Sequence, residues 1–116
     1  MIKYRLTEYR ADQLTLGYKG EHCAFVWRAY KERSFEARKS YNELKADLIK
    51  NGMKHPLITY DGHVLIGMRR FEIIVALHGV QSWFECYDIT EDVSQWGRED
   101  IDKLEKFKQI MYEVKS

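Results

Sequence analysis

The first residues of the chain alternate between apolar and basic side chains, with Ile2, Tyr4 and Leu6 at every second position. A period of two is typical of a β-strand that buries one face. A further stretch, residues 23–30, is rich in aromatic and β-branched residues, which favour extended backbone. The N-terminal third therefore predicts strands.

A different period begins near Ser40 and predicts a helix. Ser40 and Glu43 fit a capping box, in which both side chains satisfy backbone N–H groups at a helix start. Asn51-Gly52 predicts the C-terminal end, because both residue types tolerate left-handed backbone. One face of this helix is apolar and carries Tyr41, Leu44, Leu48 and Ile49.

The middle of the chain predicts a hairpin followed by a helix and a strand. Two short strands, Pro56–Tyr60 and His63–Ile66, flank Asp61-Gly62, which is a typical two-residue hairpin turn. Met68–His78 then predicts a helix that is apolar nearly all round after its first turn and is therefore expected to be buried. Ser82–Ile89 predicts another strand.

An amphipathic helix is predicted at about residues 98–114, with an apolar residue every three or four positions. Nothing in this helix indicates catalysis. Together the segments predict a single α+β domain spanning residues 1–116, with a small mixed sheet, packed helices and this C-terminal amphipathic helix.

Charge is distributed unevenly along the chain. The total is +1, but residues 1–50 carry +4, residues 51–80 carry +1 and residues 81–116 carry −4. A net charge near zero argues against a protein that coats DNA without sequence preference, but it is compatible with a local anion-binding site. Arg33 and Arg38 lie in the densest basic stretch, which predicts either a solvated face or an anion-facing role.

Cysteine spacing and hydropathy indicate a cytoplasmic protein with reduced thiols. Cys23 and Cys86 form no pair with zinc-site spacing. The longest apolar run, Ile73–Leu77, is far shorter than the roughly 20 residues that span a bilayer. The N-terminus also lacks the pattern of a secretory signal.

The segment Gly67-Met68-Arg69-Arg70 is the strongest candidate for chemistry, because it places two arginines at a fresh helix start. The first turn of a helix has N–H groups without partners in the helix, so an anion can bind there. Glycine allows close approach to the backbone, and arginine adds bidentate donors. The alternative is a tight strand-to-helix turn followed by two surface arginines.

Over residues 41–89, this order of elements and the G-x-R-R motif resemble the N-terminal domain of ParB chromosome-partitioning proteins and the wider ParB/sulfiredoxin-like superfamily. In ParB proteins the motif is G-E-R-R, and the helix start binds the triphosphate of CTP with Mg²⁺. Gly67, Arg69 and Arg70 match this motif, and Met68 replaces its acidic residue. His55 occupies a position where ParB proteins usually have glutamine.

The sulfiredoxin branch of the superfamily uses a G-C-H-R motif with a catalytic cysteine. Here Met68 occupies the cysteine position, and a thioether cannot form the thiolate nucleophile. Sulfiredoxin activity is therefore rejected. The length of the chain fits a free-standing ParB-like domain, of the kind found among small accessory proteins of bacteria, mobile elements and phages.

Three functions are compatible with this sequence. The favoured one is a nucleotide-binding accessory or regulatory domain that takes CTP or ATP with Mg²⁺. The first alternative is a ligand-free module that binds a protein partner; the second is a DNA-binding protein or nuclease, for which Asp61 and Glu72 form only a weak carboxylate pair. The predicted nucleotide site comprises Gly67, Met68, Arg69, Arg70, His55, Arg38 and Arg33.

Overall fold

The structure, a computed structural model, describes residues 2–16, 41–93, 95–96 and 100–115. The described residues form five strands and three helices, which confirms the predicted α+β class. In chain order these are β1 (Tyr4–Arg10), a turn of 3-10 helix (Ala11–Gln13), β2 (Thr15–Leu16), α1 (Tyr41–Asn51), β3 (Leu57–Tyr60), β4 (His63–Ile66), α2 (Met68–His78), β5 (Trp83–Ile89) and α3 (Ile101–Lys115).

The five strands form one mixed sheet in the order β1-β5-β3-β4-β2. β1 pairs with β5 and β3 pairs with β4 in antiparallel fashion. The pairs β3–β5 and β2–β4 are parallel. Among the described strands, β1 and β2 therefore form the two edges, although only the short turn Ala11–Gln13 and Leu14 separate them along the chain.

The hairpin and the helix after it follow the predicted residues. Asp61 and Gly62 have φ values of 48° and 74°, as the tight turn requires. β4 ends at Ile66 and α2 begins at Met68, with Gly67 between them at φ 96°. The predicted strand–turn–strand–helix unit is confirmed to within one residue at every boundary.

Each face of the sheet carries its own apolar cluster. On one face, α3 contributes Leu104, Phe107 and Met111, which pack with Ile58 and Tyr87 of the sheet. The other face carries a cluster that includes Phe71 of α2. Its buried members are Ala11, Leu14, Leu16, Leu57, Val64, Phe71, Phe84 and Cys86.

A polar cluster links three strands within this apolar surrounding. Asp88 of β5 is 6% exposed and accepts hydrogen bonds from Thr59 Oγ1 (2.8 Å) and Tyr9 Oη (3.1 Å). Arg5 Nε lies 3.4 Å from the same carboxylate. Asp88 therefore connects β1, β3 and β5 through side chains as well as through the backbone ladder.

One burial expectation was wrong. In α2 only Phe71 and Ile73 are buried, and Leu77 is 37% exposed, because the helix covers the sheet with one stripe rather than being enclosed. In α1, Leu48 is buried but Ile49 is 64% exposed. The strand predicted for residues 23–30 and the cap at Ser40 lie outside the described residues.

The C-terminal helix is confirmed with a shifted start. It begins at Ile101 instead of near residue 98 and continues to Lys115. Its inward residues Leu104, Phe107 and Met111 are those that the spacing predicts. Among the described helices, none has the length and apolar character needed to cross a bilayer.

Candidate functional site

A groove of about 460 Å³ lies where α1, the loop before β3, the start of α2 and the end of α3 meet. The predicted residues Gly67, Met68, Arg69, Arg70 and His55 all line it. The remaining lining residues come from α1, its following loop, β4 and α3: Leu44, Asp47, Leu48, Gly52, Lys54, Leu65, Ile66, Lys108 and Tyr112.

Gly67 lets the side chain of Arg70 fold back over the start of α2. A Cβ atom at position 67 would lie 2.8 Å from Arg70 Nη2 and 2.5 Å from Leu57 Cδ2. The positive φ of Gly67 also disfavours any residue with a side chain. Glycine is thus required twice, for the backbone angle and for the space that the guanidinium occupies.

Arg70 is held by two partners outside its own helix. Its Nη1 donates to the His55 carbonyl at 3.0 Å, and its Nη2 donates to the Tyr112 hydroxyl at 2.7 Å. The guanidinium carbon also lies 5.3 Å from the centre of the Tyr112 ring. Arg70 therefore ties the start of α2 to the loop before β3 and to α3.

Tyr112 completes this connection from the opposite side. Its hydroxyl donates to the Pro56 carbonyl at 2.9 Å while it accepts from Arg70, and its ring stacks on His55 at 4.5 Å between centres. Burial, partly offset by the Arg70 charge, raises the pKa of Tyr112. The hydroxyl therefore keeps its proton at neutral pH, as donation to Pro56 requires.

Cations outnumber acids in the groove lining. Among the described lining residues, four carry a positive charge and one carries a negative charge: Lys54, Arg69, Arg70 and Lys108 against Asp47. Asp47 lies 3.7 Å from Lys54 Nζ and accepts a 2.8 Å hydrogen bond from Asn51. The described lining therefore has a net positive charge, in a groove whose other walls are mainly apolar.

The structure places the other candidates away from this groove or outside the described residues. Arg33 and Arg38 belong to the latter group. Asp61 is an exposed turn residue and Glu72 is exposed on α2; neither lines the groove. In the described part of the chain, no three His, Cys, Asp or Glu residues could hold a metal ion together.

Cys86 lies in the core. It is fully buried in β5, and burial raises the pKa of its thiol to about 12. A thiol in this state is not a nucleophile at neutral pH.

Sequence reasoning missed the contribution of α3 to this groove. Lys108 and Tyr112 are one turn apart on the same side of the helix, beside the buried stripe. That spacing was a usable signal, but the partner of Tyr112 is Arg70, which lies 42 positions earlier in the chain. Such a long-range contact leaves no local pattern.

We expect Tyr112→Phe to lower the free energy of unfolding by about 1 to 2 kcal/mol, because it removes two hydrogen bonds at a partly buried hydroxyl. Urea unfolding followed by circular dichroism measures this loss. Tyr60→Phe is the matched control, since its hydroxyl donates to Asp92 at an exposed position. Equal losses in the two variants would contradict the connecting role of Tyr112.

Comparison with solved structures identifies a known fold that this chain resembles. A Pnob8-like ParB-N domain in its C2221 crystal form aligns with a TM-score of 0.54 and 15% sequence identity, over 98% of this chain and 38% of that chain. The chain has a ParB-N fold. This confirms the predicted resemblance at the level of architecture.

The ParB-N fold is recognised here through structure alone. No protein-family model matches the sequence, and no curated protein sequence matches it. The chain corresponds to less than two fifths of the length of the similar protein. Within this ParB-N fold, the G-x-R-R segment occupies the start of α2 and lines the groove.

Proposed function

We propose that the groove at the start of α2 binds the phosphates of a nucleotide, CTP or a similar one such as ATP with Mg²⁺, and that the protein is an accessory or regulatory domain. The main observation behind this proposal is that, within the described part of the chain, a helix start, four cationic side chains and one carboxylate line the same groove. The ParB-N fold supports the same assignment.

The phosphates would lie against the first turn of α2. Backbone N–H groups of a first helical turn lack acceptors within the helix and attract anions. Arg69 supplies a planar cation from that same turn, and Lys54 and Lys108 supply cations from the loop after α1 and from α3. Arg70 positions the turn through the His55 carbonyl and Tyr112.

The rest of the groove is suited to the less polar part of a nucleotide. Leu44, Leu48, Leu65 and Met68 give it apolar walls beside the stacked His55 and Tyr112 rings. Mg²⁺ binds oxygen ligands and keeps several waters. Among the described lining residues Asp47 is the single carboxylate, so from this part of the chain the ion would be held mainly by the phosphates themselves.

We expect CTP with Mg²⁺ to raise the melting temperature in a thermal-shift experiment, with ATP, GTP and inorganic triphosphate as comparison ligands. A ligand at about 100 times its dissociation constant stabilises the folded state by roughly 2.7 kcal/mol. Triphosphate alone should give a smaller shift if the apolar walls contact the base. Arg69→Ala should remove most of the shift.

Lys108→Ala and Lys106→Ala form the matched pair for this test. Both residues lie on α3, but only Lys108 lines the groove, and Lys106 is exposed. The shift should fall in the first variant and persist in the second. Absence of a shift with every nucleotide would contradict the proposal.

A protein-interaction role is the second candidate, because a tryptophan is among the exposed large apolar residues. Trp83 at the start of β5 is 63% exposed, and tryptophan is frequent among the residues that dominate binding at protein interfaces. This candidate becomes the better one if no nucleotide shifts the melting temperature and Trp83→Ala abolishes binding to a partner identified by co-purification.

A further inference from the structure

β1 is a long and regular edge strand. Its seven residues, Tyr4–Arg10, pair one to one with β5 without a bulge, and within the described residues its other edge pairs with no strand. The strand contains neither proline nor glycine. A row of backbone donors and acceptors along such an edge is a template for a further strand.

The two edges of the sheet differ in how they are protected. β2, at the opposite edge, has two residues within the described part of the chain, and these offer few backbone groups to a partner strand. Both arginines of β1 contact carboxylates of their own chain, which leaves Glu8 as the charged side chain of the strand with no ion pair among the described residues. Arg5 Nε lies 3.4 Å from Asp88, and Arg10 Nε lies 2.8 Å from Asp12.

Exposed apolar area accompanies the edge. Leu6 is 57% exposed and Tyr4 is 36% exposed, and both lie on the α3 side of the sheet. Pairing with a further strand would cover part of this area in addition to the backbone groups.

We propose that β1 pairs in antiparallel fashion with β1 of a second copy of this chain, with Thr7 opposite Thr7. A two-fold axis perpendicular to the sheet relates the copies, so each residue lies opposite one of the same face. The Thr7-centred register pairs all seven residues of β1. It extends the five-stranded sheet to ten strands across the dimer.

Among the registers that two-fold symmetry allows, the side-chain charges and the number of paired residues favour the one centred on Thr7. A shift that places Arg5 opposite Arg5, or Glu8 opposite Glu8, sets like charges directly against each other. A shift that centres the ladder on Leu6 avoids this but pairs only five residues. The Thr7-centred register places Arg5 opposite Tyr9 and Leu6 opposite Glu8, without a like-charge pair.

Sedimentation velocity over a wide concentration range tests the dimer. We expect the mass to rise from one chain of 13.9 kDa towards two. Leu6→Glu should abolish the rise, because it places a carboxylate opposite Glu8 of the other copy. Leu6→Lys should instead strengthen the dimer, because the two-fold symmetry then creates two pairs of opposite charge between the new lysine and Glu8. Position 6 is exposed, so both variants should fold.

Cross-linking resolves the register. Leu6→Cys chains mixed with Glu8→Cys chains should form mainly mixed disulfides, because these positions face each other in the Thr7-centred register. A predominance of Leu6→Cys homodimers would overturn that register. A mass of one chain at every concentration, or a dimer that survives Leu6→Glu unchanged, would overturn the proposal itself.

Discussion

Gly67→Ala is expected to lower the free energy of unfolding by about 3 kcal/mol. Left-handed backbone at φ 96° costs a residue with a Cβ about 1 to 2 kcal/mol. The new methyl group would also lie 2.5 Å from Leu57 Cδ2 and 2.8 Å from Arg70 Nη2, and overpacking of this kind costs about 1 to 3 kcal/mol. Urea unfolding measures the sum.

Gly52→Ala separates the two causes. Gly52 also has a positive φ, 70°, but a Cβ there would meet no atom within 4 Å, so only the backbone cost applies. We expect about 1 kcal/mol for this variant. If both alanine variants lose the same stability, the close packing around Gly67 has no energetic weight.

Gly67→Ala should also affect the groove. Arg70 must move if a methyl group occupies its place, and Arg70 holds both the loop before β3 and Tyr112. Gly67→Ala should therefore weaken any nucleotide response as well as the fold. In the G-x-R-R segment, the glycine and the second arginine are thus one packing unit, which leaves Arg69 as the cleaner probe of ligand binding.

Asp88→Ala is expected to lower the free energy of unfolding by about 3 kcal/mol. The substitution removes hydrogen bonds from Thr59 and Tyr9 and the ion pair with Arg5. Thr59 is fully buried, so its hydroxyl would lose its carboxylate acceptor within the core. An unsatisfied buried polar group costs about 1 to 3 kcal/mol, and lost charge-assisted hydrogen bonds add to this.

Two further variants check the cause of that loss. Asp12→Ala breaks the exposed Arg10–Asp12 pair and should cost no more than about 1 kcal/mol. Thr59→Val in the Asp88→Ala background removes the orphaned hydroxyl. The double variant should be more stable than the sum of the single losses indicates, and strict additivity would contradict the explanation.

The sequence predicts this fold best where the determinants are local. Asp61-Gly62, Gly67 and Gly79 lie at turns or helix ends that require their conformations, so the unit from β3 to α2 follows from neighbours in the chain. The sequence predicts that a mixed sheet forms, but it does not predict the order of the strands. The placement of β1 at one edge and β2 at the other depends on contacts between distant residues.

The candidate site shows the same division. A recognisable strand-to-helix junction predicts the site residues Gly67, Met68, Arg69 and Arg70. The groove lies against this junction. Tyr112 was not predicted, because its role depends on where α3 packs. The exposure of Ile49 has a related cause: helical spacing identifies an apolar face, whereas neighbouring elements decide how much of that face is covered.

The link between the two edge strands constrains the curvature of the sheet. Five residue steps from Arg10 to Thr15 span at most about 18 Å when fully extended. Four strand spacings in a flat sheet span about 19 Å, and the 3-10 turn shortens the link further. The sheet must therefore curve towards the face that carries Ala11 and Leu14, so that the short link can join its two edge strands. The described sheet thus resembles a partly closed barrel.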